Sequence, residues 1–127
     1  MQKNHRPAQL SRLRQALQGQ LKELQGALRV IRGRGALVKG NVYELARKCG
    51  KPSCACTRGQ LHRSIVLSSS EEGKTQLRVL APGEVAQIRP QSERYLQFRQ
   101  ARAQVGKIFK QMLALINRIE QIRREEG

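Results

Sequence analysis

Residues 64–80, SIVLSSSEEGKTQLRVL, hold two aliphatic, β-branched runs on either side of a polar break. Ser64 to Ser68 and Thr75 to Leu80 have the composition of strands, and the Ser-Ser-Glu-Glu-Gly-Lys stretch between them reads as a turn. Together they predict a β-hairpin, with Ala81-Pro82-Gly83 as the punctuation that closes the second strand. Upstream, residues 36–45 (ALVKGNVYEL) are too short and too interrupted by glycine for a helix. Their β-branched and aromatic content predicts a strand or a strand pair.

Helical patterns flank these strands. Leu10, Leu17, Leu24 and Ile31 recur every seven residues, with Leu13, Leu21 and Leu28 on the same face. Pro7 suits an opening turn, and Gly33 and Gly35 suit a stop, so a helix is expected over 7–32. Gly19 and Gly26 inside it each cost about 1 kcal/mol relative to Ala, so this helix needs a partner. In the last third Phe98, Val105, Met112 and Ile119 are again spaced by seven. Phe109 and Ile116 supply the neighbouring position, and Ile108, Leu115 and Ile122 broaden the stripe. Ser92 is the expected N-cap, with Glu93 in the first turn. A helix over 91–125 would be about 50 Å long, more than a small sheet can cover. It calls for the N-terminal helix, a second subunit, or both. The expected fold class is α+β, a single domain over 1–127. A small zinc-stapled β-hairpin module (35–81) is flanked by the N-terminal helix and a long, amphipathic, coiled-coil-like C-terminal helix.

The charge is lopsided. Of 127 residues, 25 are Lys or Arg and nine are acidic, all of them Glu, for a net +16. From Leu24 to Ser70 the only acid is Glu44, which reads as a solvated strand-end charge. Solubility alone favours mixed signs, so the excess points to a polyanionic partner, nucleic acid ahead of an anionic membrane surface or an acidic protein. The expected contact surface is Arg47, Lys48, Lys51, Arg58 and Arg63, joined by Arg29, Arg32, Arg34 and Lys39. With only Tyr43, Tyr95, Phe98 and Phe109 as aromatics, stacking platforms for single strands are scarce. Duplex DNA is therefore preferred over RNA.

Composition also excludes. A chain without Asp cannot build an Asp-based two-metal nuclease, transposase or polymerase site, and no enzymatic role is expected. No run approaches the roughly 18 apolar residues of a membrane span, and the N-terminal pattern is not that of a signal peptide. A cytoplasmic protein is expected, nucleoid-associated if it binds DNA.

Residues 49–62, CGKPSCACTRGQLH, contain all three cysteines and one of two histidines, spaced C-x4-C-x-C-x5-H. Three thiolates and an imidazole form a tetrahedral set for structural zinc, so Cys49, Cys54, Cys56 and His62 are the candidate ligands. Gly50, Pro52 and Gly59 allow the chain to turn between them, and the neighbouring cations favour thiolates. Zinc would fill every position with protein and leave none for water. That makes it a staple and argues against a zinc hydrolase. Competing readings of the three cysteines are a disulfide with one thiol left over, incidental or buried thiols, and an iron–sulfur cluster. His5 is expected to be inert.

The segment Cys49-Gly50-Lys51-Pro52, Cys54, Cys56 and His62, followed by Gly73-Lys74-Thr75 and a long helix from about Ser92, resembles a family of small, uncharacterised prokaryotic proteins. The likeness covers roughly Gly35 to Ile116. Members look like companions of mobile elements and transposase genes, so the resemblance implies a DNA-binding accessory role. The family follows its histidine with Gly-Pro and tyrosines, whereas this chain has Arg63-Ser64-Ile65-Val66-Leu67. The wide C-terminal stripe, Val105, Ile108, Phe109, Met112, Leu115, Ile116 and Ile119, is expected to hold a homodimer that presents two basic modules. Two rivals stay open: a structured-RNA binder, and a protein–protein adaptor whose helices engage a larger complex.

Overall fold

The computed structural model describes residues 6–48, 50, 51, 53, 59 and 61–126. The chain is α+β. Helix α1 spans Arg6–Ile31, strands β1, β2 and β3 span Asn41–Arg47, His62–Glu71 and Lys74–Val79, and helix α2 spans Pro82–Glu126. The strands form one antiparallel sheet in the order β1-β2-β3. Two compact units result. Residues Arg34–Gln97 form one; α1 as far as Gly33 and α2 from Phe98 onward form the other.

In the first unit the hairpin read from residues 64–80 is present but tighter. Ser69, Ser70 and Glu71 continue β2, and only Glu72 and Gly73 turn, with φ of 52° and 79°. Two consecutive left-handed residues make the turn whose twist matches paired strands. Register then sorts the side chains. Ile65 and Leu67 lie on one face with Val42 opposite Leu67, and Leu80, Ile88 and Val85 close over them. Val66 lies on the other face between Tyr43 and Val79 and is only 1% exposed.

The segment before β1 is an anchor and not a strand. Arg94 Nε donates to the Ala36 carbonyl (3.1 Å) and the Val38 N–H to the Gln91 carbonyl (3.1 Å). The Ser92 hydroxyl donates to the Gly40 carbonyl at 2.6 Å. Gly40 has φ 136°, and a Cβ there would sit 2.7 Å from the Ser68 carbonyl oxygen, so only glycine fits.

The long helix starts nine residues before the expected boundary. Pro82 opens it, a position that tolerates a missing N–H. Glu84 bonds back to the Ala81 N–H (3.1 Å), the reciprocal half of a capping box, and accepts from Arg78 Nη1 of β3 at 2.8 Å. Ser92 is therefore no N-cap. It lies inside the helix, buried, as the donor to Gly40.

The second unit is an antiparallel pair. Arg6 Nη1 donates to the Glu125 carbonyl at 3.1 Å, and Gln9, Arg12 and Leu13 share a shallow hollow with Arg118 and Ile122. Leu10 and Ala27 are buried on α1; on α2 the buried residues are Ala101, Ile108 and Ile122, at 7%, 0% and 2% exposure. With half-buried Leu115 these form a heptad series. The series read from Phe98, Val105, Met112 and Ile119 is half-buried beside it.

Two outcomes follow from these contacts. Ser92→Ala leaves a part-buried Gly40 carbonyl without its donor and should cost about 1–3 kcal/mol in urea unfolding, with an unchanged m-value. The hydrogen bond from Arg78, then that from Ala81, holds the Glu84 carboxyl below its ordinary value of 4.5. A depressed carboxylate stabilises above its unfolded-state pKa, and that contribution is lost as pH falls through the lowered one. The Tm advantage of wild type over Glu84→Gln should thus be flat from neutral pH down to about 4.5 and close below it.

Candidate nucleic-acid interface

The β1–β2 register builds the site. Arg47, the last residue of β1, pairs with His62, the first of β2, so residues 48–61 are a single connection between paired strand ends. Cys49 follows Arg47 by two residues, and His62 is Arg47's partner across the ladder. Arg47 and His62 are therefore opposed at one end of the sheet, where paired Cα atoms are about 5 Å apart. Cys49, Cys54 and Cys56, like Arg58 and His5, lie outside the described residues. Among the described residues no group of three or more His, Cys, Asp or Glu gathers.

Arg47 ends β1 here and Lys48 follows it; both are exposed, as is Lys51 three residues further on in sequence. Arg47 and His62 share the face of Val66; Arg63, one residue on, lies on the opposite face with Glu44. Its side chain is 72% exposed, and its Nη1 lies 2.9 Å from Glu44 Oε1. Lys39 stands apart. It precedes β1, at the other end of the sheet, with Nζ 3.9 Å from Glu71 Oε1. The eight residues from Lys39 to Arg47 separate them by about 25 Å of strand. Arg34 is exposed in the segment leading to the sheet, and Arg29 and Arg32 are exposed at the C-terminal end of α1 in the helical unit. The cations expected as one surface are thus divided between the Arg47–His62 end of the sheet and separate groups.

A feature not anticipated from the sequence lies beside that end of the sheet. Glu44, Arg63, Ser64, Ile65, Leu80, Pro82 and Val85 enclose an open cleft of about 520 Å³. Glu44 is not simply a solvated charge: it lines this cleft and pairs with Arg63. The only sequence signal was its isolation among cations.

The residues expected for oligomerisation divide. Ile108 is fully buried within the chain; Val105, Met112, Leu115 and Ile119 are half-buried; Phe109 and Ile116 are 52% and 44% exposed. Leu113, outside the expected set, is 59% exposed and extends the same outer strip. No described helix is long and apolar enough to cross a membrane.

Residues 7–90 match DUF6788, a domain of unknown function, and the chain belongs to that family. The match takes in α1, the sheet and the opening turns of α2. No curated protein and no solved structure matches the chain.

Proposed function

We propose that this is a zinc-stabilised, non-enzymatic accessory protein that binds duplex DNA through its phosphates, in the cytoplasm and on the nucleoid. The observation that supports the reading is the end of the sheet where Arg47 and His62 pair, from which the sequence continues into the cysteine segment and where Arg47 and Lys48 are exposed. In this reading Cys49, Cys54, Cys56 and His62 hold a structural Zn²⁺, which fixes the connection and with it the spacing of the cations. A thiolate-rich site carries +2 − 3 = −1, so it moderates the surrounding positive charge without cancelling it. Arg58 belongs to the same connection, and Arg63, Arg34, Lys39, Arg29 and Arg32 add phosphate contacts outside it.

The exposed strip of Phe109, Leu113 and Ile116 supports a homodimer. An apolar arc wider than a two-helix seam leaves surface to bury, and a second copy would double the phosphate contacts. The same strip favours a second reading, in which it docks on a larger nuclease or transposase and the protein serves a mobile element.

If a complex neutralises about six phosphates, log Kd for a DNA duplex should vary with log salt with a slope near 5 in magnitude. Arg47→Ala with Lys48→Ala should flatten it by about two per bound chain. Fluorescence anisotropy across a salt series reads both; a flat dependence overturns the phosphate reading, and a tighter fit to an RNA duplex of the same sequence overturns the preference for DNA. Light scattering should give twice 14.4 kDa for the wild type and a monomer for Phe109→Asp with Ile116→Asp. A monomeric wild type would favour the larger partner.

A further inference from the structure

We propose that the cleft between β2 and the start of α2 receives one unpaired guanine base of the bound DNA. This rests on the nucleic-acid reading above and adds a base-reading site to a surface otherwise made of phosphate contacts.

The cleft exists because two strands end out of step. β3 ends at Val79, opposite Val66, and the Leu80 N–H makes the last bond to the Ile65 carbonyl at 2.8 Å. The chain then leaves the sheet to begin α2 at Pro82, while β2 runs back to His62. In an antiparallel ladder the bonding direction alternates from residue to residue. Ile65 bonds toward β3, so the Arg63 N–H and carbonyl point the same way, beyond the end of β3. The result is a hollow of about 520 Å³ with a floor of Ile65, Leu80 and Val85. That is within the size of small-ligand pockets, about 300–1,000 Å³. An apolar lining suits the face of a base, which can pack on aliphatic side chains in place of an aromatic partner.

Glu44 gives the cleft its selectivity. It is the only carboxylate between Leu24 and Ser70, among nine cations. A negative charge there weakens phosphate binding, and an ion pair with a 72% exposed arginine contributes little to stability. Its position is explained if it reads donors on a base edge. Guanine alone presents two adjacent donors, N1–H and N2–H, on its Watson–Crick edge, and these match the two oxygens of a carboxylate. Its O6 then accepts from the Arg63 guanidinium, which already lies against Glu44. That edge is free only in a base that has left the duplex, so the target contains an extrahelical guanine.

The test is anisotropy with the full chain at fixed salt. Short duplexes of one sequence carry a single bulged guanine, adenine, cytosine or thymine, or no bulge. The bulged guanine should bind about tenfold more tightly than the other four. Glu44→Gln, with one acceptor in place of two, should bring that ratio to near one. If all five duplexes bind alike in the wild type, with the steep salt dependence intact, the cleft inference is overturned and the phosphate reading stands. If no duplex binds even at low salt, both fall. The base series in the wild type decides the matter without reference to the variant's folding.

Discussion

Both units of this protein lean on one helix. The three-stranded sheet has little apolar material of its own, and its core, Leu67 and Leu80, is completed by Ile88 of α2. Farther along the same helix Ala101, Ile108 and Ile122 supply the buried side of the helical pair. A 45-residue helix is the way a chain with so lean a core gives each element something to pack against. The anchors at its opening turns are accordingly polar as well as apolar: Glu84 ties it to β3, and Gln91, Ser92 and Arg94 tie it to the segment before β1.

Fixing β1 in this way fixes the Arg47–His62 end of the sheet. Once Gly40 is held against Ser92, register carries the strand to Arg47 and sets it across from His62. Whatever joins them must begin and end at paired residues. A connection so constrained would lose less entropy on ordering than a free loop of equal length. The mismatch between the ends of β2 and β3 opens the neighbouring cleft, so the placement of Arg47 and the cleft both follow from the pairing of β2 with its two neighbours.

Much of this was legible in the sequence. The α+β class, the hairpin at 64–80 and both amphipathic helices follow from periodicity and turn chemistry. What was not legible depended on context. Ala81-Pro82-Gly83 carries the marks of a breaker, yet proline also opens helices, and only the return bond from Glu84 shows which role it takes. Ser92 has N-cap chemistry, but its hydroxyl is used by a carbonyl 52 residues away. The seam of α2 was displaced because Ala101 carries too little apolar signal to mark a core position. Glu44 is exposed, as read, but nothing local shows that Arg63, 19 residues on, lies beside it. Long-range partners of this kind are fixed by register, which local patterning does not supply.

The central claim is that a metal closes the β1–β2 connection and so sets the cationic end of the sheet. Native mass spectrometry of the full chain, before and after chelation, tests it most directly. The account predicts one zinc per chain, lost on chelation, with the three cysteines protected from alkylation until the metal is removed. A metal-free chain whose three thiols all react at once would contradict it.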